Sequence, residues 1–168
     1  MNRLENSLLA RQIIEETMYR YCEAIDTADL ETLGNIFAAG ALVSQDGTET
    51  RGPKAIHDLF STMIIFYDEN GNEVPYASKA CTPMTRHVTT NIIMDIDNSV
   101  EVAQVRSYFT VYQTINSSNV IIAGGRYQDR FERDPYGWHL IERRILIDNL
   151  GDMSHLSLIH ISEPTRPY

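Results

Sequence analysis

Residues 20–43 read RYCEAIDTADLETLGNIFAAGALV, and this stretch predicts how the fold begins. Apolar side chains recur at helical spacing from residue 6 to about residue 28, and Tyr21 and Cys22 lie in that apolar stripe. Asp29 is a favourable N-cap for a second, short helix, which Gly40 ends. Residues 41–45 then predict a short strand. We therefore expect two helices followed by a strand.

A hairpin and a third helix are predicted after that strand. Asp46 and Gly47 suit a hairpin turn, and residues 48–51 predict the returning strand. Pro53 suits the first position of a third helix. Residues 66–85 show no clear periodicity, and a stretch of this kind often serves as a lid over a site. We expect a loop there.

The second half of the chain is rich in β-forming residues. Four such runs are residues 86–96, 100–115, 120–133 and 138–147. Short turn sequences separate them, which predicts an antiparallel meander. The pair Gly124-Gly125 inside the third run indicates either a bulge or the close approach of a ligand. Helices in front of an antiparallel sheet predict an α+β fold, a cone in which a curved sheet wraps around the N-terminal helices. The open mouth of such a cone can hold a small-molecule pocket.

The composition of the 168 residues is that of one folded domain, with 43% hydrophobic and 22% charged residues. A formal net charge of −9 disfavours binding to the phosphates of nucleic acids. Cys22 and Cys81 are expected to be reduced thiols, and charged residues interrupt the start of the chain, so no secretory signal is predicted. We expect a cytoplasmic protein with neither a nucleic-acid nor a membrane partner.

The last residues differ in character from the rest. Residues 156–166 read LSLIHISEPTR and look like the translation of a sequencing adapter, a known contaminant of metagenomic assemblies. Segments of that kind are excluded from fold reasoning. We expect one native domain over residues 1–155 and a non-native tail over residues 156–168.

Common cofactor and metal motifs are missing from the sequence. It contains no GxGxxG, Walker, HExxH or GxSxG motif and no CxxC pair. His57, His87 and His139 are scattered, and no two of them have the spacing of metal ligands with a carboxylate partner. We expect neither a metal nor an organic cofactor.

Three polar residues stand at places where chemistry could occur. On a strand, His87 would share one face with Thr89 and Asn91, and a histidine there could be a general acid or base, or a hydrogen-bonded structural residue. Tyr21 could be reactive or a core residue with a satisfied hydroxyl. Asp26 stands near a helix C-terminus, where a carboxylate opposes the helix dipole, so it either has a function or caps the next turn. Helix geometry sets Tyr21 and Asp26 about 140° apart, which leaves their convergence open.

Several stretches together resemble the SnoaL-like branch of the nuclear transport factor 2-like superfamily, over about residues 9–148. The resemblance is carried by residues 20–43, by RGPKAIHDLF (51–60), by RHVTTNIIMDID (86–97) and by GGRYQDRFERDPYGWHLIERR (124–144). In two kinds of enzyme of that superfamily, bile-acid 7α-dehydratases and scytalone dehydratases, the site has a tyrosine in the first helix, an aspartate five residues later and a histidine at the start of the third strand. Tyr21, Asp26 and His87 stand at those places.

The resemblance implies a cofactor-independent lyase or isomerase acting on a small hydrophobic hydroxy-carbonyl compound, such as a polyketide or a steroid-like molecule. His87 and Asp26 would move the proton, and Tyr21 would donate a hydrogen bond to the developing oxyanion. A polyketide cyclase using the same pair is a related hypothesis. The alternative is a noncatalytic scaffold resembling the β subunits of ring-hydroxylating dioxygenases, or a ligand-binding module.

Further polar residues are expected to line the cone as substrate contacts: Gln45, Asn91, Tyr127 and Asp129. For Asp129 the alternative is a structural pair across strands with Arg143 or Arg144. Residues 105–112 place apolar groups on both faces of one strand, so the outer face needs a cover. Since relatives commonly associate through the open sheet, we expect a homodimer or homotrimer.

Overall fold

The computed structural model describes residues 2–77, 80–115 and 118–151. Its three helices are α1 (Arg3–Asp26), α2 (Leu30–Ile36) and α3 (Pro53–Met63). The Asp29 side chain accepts a hydrogen bond from the backbone N–H of Thr32 (3.2 Å), so Asp29 caps α2 as predicted. Pro53 is the first residue of α3, also as predicted.

The described residues form eight strands, six of which lie where the sequence predicted a strand. They are β1 (Ala41–Val43), β2 (Glu49–Arg51), β3 (Phe66–Tyr67), β4 (Glu73–Val74), β5 (Thr85–Ile96), β6 (Val102–Ile115), β7 (Ser118–Asp134) and β8 (Gly137–Leu150). A six-stranded sheet has the order β2-β1-β8-β7-β6-β5, and β5 to β8 form the predicted antiparallel meander. β1, however, runs parallel to β8, so the sheet is mixed. The predicted α+β cone, a curved sheet around the helices, is confirmed.

The expectation of a loop over residues 66–85 was wrong for much of that segment. β3 and β4 form a small hairpin, and the backbones of Tyr67 and Thr82 exchange two hydrogen bonds of 2.8 and 2.9 Å. Phe66 and Cys81 are buried. Strands of two residues are too short to show an alternating pattern, which explains why the sequence did not predict them.

The hydrophobic core lies between α1 and the inward face of the sheet. The buried side chains of α1 include Ile14, Met18, Tyr21 and Ile25. They belong to one core cluster with buried residues of β5 to β8, among them Met94, Val105, Phe109, Phe131 and Leu140. α1 therefore faces the inner residues of four strands, and polar residues on either surface meet inside the cone.

Some predictions fall outside the described residues. The predicted tail, residues 156–168, lies there entirely, and the turn predicted at residues 116–119 lies there in part. Within the described ranges, no helix is both long and apolar enough to cross a membrane.

Candidate active site

The carboxylate of Asp26, the last residue of α1, is bound to β5 by three hydrogen bonds. Its Oδ1 lies 2.7 Å from Nδ1 of His87 and accepts a second bond from Oγ1 of Thr85 at 2.8 Å. Its Oδ2 accepts the backbone N–H of His87 at 2.8 Å. The structure thus brings together two of the three predicted catalytic residues, Asp26 and His87, although they are 61 residues apart.

These hydrogen bonds determine the charge of Asp26. Burial alone would raise the pKa of this carboxyl, but the bonds from His87 and Thr85 outweigh burial and hold the pKa below its usual value. An ionised carboxylate beside Nδ1 favours the tautomer with the proton on Nδ1, which leaves the lone pair on Nε2. None of the residues that the structure describes hydrogen-bonds Nε2, and the side chain of His87 keeps 13% of its surface exposed. The arrangement therefore leaves Nε2 without a hydrogen-bond partner among the described residues.

α1 and β5 are joined by a second contact next to the Asp26–His87 pair. Cys22 lies one helical turn before Asp26, and its Sγ is 3.4 Å from Oγ1 of Thr89. Thr85 and Thr89 stand two residues before and after His87, so all three side chains share the inward face of β5. Sequence reasoning did not select Thr85, although its period-two spacing from His87 could have indicated that it faces Asp26.

The third predicted catalytic residue, Tyr21, is 2% exposed and belongs to an aromatic cluster. Its ring makes edge contacts with Phe37 and Tyr127 at centroid distances of 6.1 and 5.9 Å, and the guanidinium of Arg143 lies 4.2 Å from its centroid. Burial raises the pKa of Tyr21, although Arg143 opposes this effect. Tyr21 is therefore a protonated phenol, able to donate a hydrogen bond. Its catalytic role stays a prediction.

Asp129 and Arg143 form a fully buried ion pair. Two hydrogen bonds, of 2.8 and 2.6 Å, join the carboxylate to Nε and Nη2 of the guanidinium, and the side chains are 0% and 1% exposed. This is the cross-strand pair that the sequence offered as the alternative role of Asp129. Tyr127 is also buried, with its ring centroid 4.4 Å from the guanidinium of Arg143, and it stacks on Phe109 at 4.5 Å.

Gln45 and Asn91, the two other predicted substrate contacts, are both exposed. Gln45 follows β1, and its Oε1 accepts the backbone N–H of Ile147 on β8 at 3.0 Å. Asn91 is exposed with a φ of 52°, at a register shift of β5 between Thr90 and Ile93. The expectation that Asn91 shares the face of His87 was wrong, because this bulge breaks the period-two alternation and Ile92 takes the place against the core.

The remaining histidines lie elsewhere. His57 contacts Asp58 and the ring of Tyr76, and His139 contacts Asp134. Among the residues that the structure describes, no three His, Cys, Asp or Glu side chains are grouped so that they could hold a metal ion. The described site is a hydrogen-bonded carboxylate–histidine pair together with a buried tyrosine–arginine cluster.

Comparison with known proteins gives a family and a set of similar folds. The sequence profile of the SnoaL-like domain matches residues 6–144. No match to a curated protein is found.

Among solved structures, a protein of unknown function from Mycobacterium tuberculosis (Rv3472) is 25% identical, with a TM-score of 0.68 over 89% of this chain and 78% of the other. A candidate scytalone dehydratase from Novosphingobium aromaticivorans is 20% identical, with a TM-score of 0.64 and coverages of 89% and 91%. A hexachlorocyclohexane dehydrochlorinase, LinA-type3 from Novosphingobium barchaimii, is 12% identical, with a TM-score of 0.66 and coverages of 92% and 97%. At 20% and 12% identity, the similarity of the last two proteins to this chain shows a shared fold alone.

Proposed function

Since the chain belongs to the SnoaL-like domain family, we propose that it is a cofactor-independent lyase or isomerase acting on a small hydrophobic hydroxy-carbonyl compound. The observation that carries the proposal is the 2.7 Å contact between Asp26 and His87. A carboxylate that orients a histidine through Nδ1 is a general arrangement for proton transfer at Nε2.

In the proposed reaction, Nε2 of His87 takes a proton from the carbon next to the substrate's carbonyl group. The C–H electron pair forms the enolate, and the hydroxyl of Tyr21 donates a hydrogen bond to its oxygen. Asp26 stabilises the imidazolium that forms. The enolate then re-forms the carbonyl and expels the β-hydroxyl group, which takes the proton from His87 and leaves as water. With a β,γ-unsaturated carbonyl compound the same proton abstraction gives a dienolate, and its protonation at the γ carbon by His87 moves the double bond into conjugation.

Two similar folds support an elimination. Dehydratases remove water and dehydrochlorinases remove hydrogen chloride, and each reaction needs a base that takes a proton next to a leaving group. The named dehydratase and dehydrochlorinase have the same fold as this chain. A β-hydroxy ketone is therefore a suitable first substrate class.

The proposal is tested with a panel of β-hydroxy ketones and thioesters, in which the conjugated product is followed by ultraviolet absorbance. His87→Gln is expected to lower kcat/KM by about 10²–10⁴-fold, the usual contribution of a general base. His139→Gln is the matched control, because the side chain of that histidine is 36% exposed and hydrogen-bonds the turn residue Asp134, away from Asp26 and His87. Equal rates for wild type and His87→Gln would contradict the mechanism.

The alternative, a noncatalytic scaffold domain, is favoured by one observation. The outward residues of the meander include Tyr108, Tyr112 and Ile121, which are 50%, 38% and 55% exposed. A second copy of the chain would cover them, as in the proposed homodimer or homotrimer. If the protein associates in solution but wild type forms no product from the whole panel, the scaffold function replaces the enzymatic one.

A further inference from the structure

Thr85, the first residue of β5, is 2% exposed and faces the end of α1. Its Oγ1 donates a hydrogen bond of 2.8 Å to Oδ1 of Asp26, the same oxygen that lies 2.7 Å from Nδ1 of His87. The backbone N–H of His87 binds the other oxygen, Oδ2, at 2.8 Å. Among the described residues, Thr85 therefore supplies the one hydrogen bond to this carboxylate that does not come from His87.

The backbone before Thr85 is fixed by contacts of its own. Met84 has a φ of 56°, a left-handed conformation that residues other than glycine rarely adopt. Its carbonyl oxygen accepts the N–H of Thr114 at 3.0 Å, and the carbonyl oxygen of Pro83 accepts Nε2 of Gln113 at 3.2 Å. Such a conformation persists only where its surroundings hold it, and conformations of this kind cluster at functional sites. The start of β5, and with it the direction of the Thr85 side chain, is therefore fixed.

The hydroxyl of Thr85 is an uncharged donor, unlike the basic groups that often pair with a buried carboxylate. An arginine or a lysine in its place would neutralise Asp26 and leave little attraction for a proton on His87. A neutral donor holds the carboxylate in one orientation and leaves its negative charge to stabilise an imidazolium. Threonine is also branched at Cβ, so few side-chain rotamers compete with the one that donates.

We propose that Thr85 is a positioning residue for proton transfer: its hydroxyl keeps Oδ1 of Asp26 against Nδ1 of His87 and takes up part of the negative charge of that oxygen. The carboxylate then orients the imidazole without holding a proton on it too strongly, so the imidazole stays an unprotonated base to lower pH. This inference rests on the proposed function and adds a third residue to its proton-transfer pair.

Removing the hydroxyl should change the titration of the Asp26–His87 pair in one direction. A hydrogen bond to a carboxylate stabilises its charged form, and Thr85 is one of the groups that lower the pKa of Asp26. Without this bond Oδ1 carries more negative charge, so the pair takes up a proton at a higher pH. A hydrogen bond of this kind shifts a titration by about half to one pH unit, and because the two groups interact, the shift belongs to the pair.

Other charged or titratable side chains near the pair lie on α1, β5, β7 and β8: Tyr21, Cys22, Arg86, Asp129 and Arg143. Burial raises the pKa values of the Tyr21 phenol and the Cys22 thiol, so both are uncharged near neutral pH. Asp129 and Arg143 neutralise each other, and the guanidinium of Arg86 binds the carbonyl oxygen of Thr85 at 2.6 Å. On β6, the residues paired with Thr85 and His87 are Gln113 and Val111, which do not titrate. A change in titration on losing the hydroxyl is therefore due to that hydroxyl.

The test compares the wild type with Thr85→Val, which has nearly the same shape but no hydroxyl. The titration of the pair is followed by NMR of the full chain, from the imidazole nitrogens of His87 and the carboxyl carbon of Asp26. The signals that are missing in His87→Gln and Asp26→Asn identify these atoms. We expect Thr85→Val to move the midpoint upward by about half to one pH unit. Thr85→Ser restores a hydroxyl and should return the midpoint most of the way, and Thr90→Val, at an exposed position of the same strand, is the control.

The pH profile of kcat/KM supplies a second measurement. With a substrate from the panel above, the acid limb of the profile should move upward by the same amount in Thr85→Val. At the pH optimum kcat should fall about three- to thirty-fold, because the base is less well oriented. A threonine that only stabilised the fold would leave the acid limb where it is.

Three results would overturn the proposal: a wild-type midpoint in folded Thr85→Val, an equal shift in Thr85→Ser, or an acid limb that does not move. If Thr85→Val does not fold, Thr85→Ala takes its place in the same comparison. Because the NMR titration requires no turnover, the two proposals fail separately. A chain that shows the expected shift but forms no product contradicts only the enzymatic function, and one that forms product with an unmoved midpoint contradicts only the role of Thr85.

Discussion

The buried ion pair of Asp129 and Arg143 gives a prediction about the free energy of unfolding: a variant that loses both charges should be more stable than a variant that loses one. Asp129→Leu leaves a guanidinium with 1% exposure and no counter-ion, and removing one partner of such a pair costs about 3–5 kcal/mol. Arg143→Met leaves the carboxylate alone and also removes the contacts with Tyr21 and Tyr127, which are worth about 0.5–2 kcal/mol each. We therefore expect the free energy of unfolding to fall by about 3–5 kcal/mol in Asp129→Leu and by about 4–9 kcal/mol in Arg143→Met.

The double variant should be less damaged than either single variant. Replacing a whole buried ion pair by apolar residues of similar size is often neutral or stabilising. What remains is the loss of two cation–π contacts, about 1–4 kcal/mol together. The coupling energy of the cycle should therefore be at least about 4 kcal/mol, well above the additivity error of about 0.5 kcal/mol.

The free energies of unfolding of wild type, the two single variants and the double variant are measured by urea denaturation, with the fluorescence of Trp138 as the signal. The matched control is the pair of Glu142 and Arg144 on the same strand, whose atoms are 3.3 Å apart but whose side chains are 40% and 37% exposed. An exposed pair of this kind contributes about 0–1 kcal/mol, so its cycle should be nearly additive. If the buried cycle is also additive, or Asp129→Leu costs under 1 kcal/mol, the account of the interior given above is refuted.

The remaining predictions concern pH and packing. The folded-state pKa of Asp26 is lowered, so its stabilising contribution exists above the pKa of about 3.9 of an unfolded aspartate and is lost as the pH falls through the folded-state value. The difference in unfolding free energy between wild type and Asp26→Asn should therefore be constant near pH 7 and shrink below about pH 4; a difference independent of pH from 3 to 7 would contradict this. A Cβ on Gly125 would lie 2.1 Å from the carbonyl oxygen of Leu146, whereas one on Gly124 would meet nothing nearer than 3.5 Å. Gly125→Ala should then lower the midpoint of thermal unfolding by several degrees and Gly124→Ala should not, an order that calorimetry can check.

Local chemistry made most of the fold predictable. Asp29 as a cap and Pro53 as a first helical residue act within a few residues, so the sequence alone indicates them. The alternation of β5 predicted the inward position of His87, and the glycine pair predicted the register shift between Gly124 and Gly125. The parallel pairing of β1 with β8 joins residues about 100 positions apart and leaves no local pattern.

The site was predictable only where the family resemblance extended. Tyr21, Asp26 and His87 were selected by their places in the chain, but helix geometry could not decide where Tyr21 points, and the structure puts it with Arg143. Asn91 was misplaced because a bulge in the middle of a strand shifts every later residue. Thr85 was not selected because a single hydroxyl in a β-rich run has no recognisable role until its neighbours are known.

The parallel pairing of β1 with β8 also implies an order of assembly. The partners Asp26 and His87 lie in the first 87 residues, so they can meet when α1 docks on the hairpin of β5 and β6. Arg143 belongs to β8, which pairs with β1 and comes from the end of the domain. Contacts between residues so far apart in sequence form late, because a large loop must close first. During synthesis, the Asp26–His87 pair can therefore form before the guanidinium of Arg143 is available. A nascent chain that lacks β8 has this pair but not the cation that neutralises Asp129, and it exposes the inward faces of Tyr21 and Tyr127 until the last strand is added.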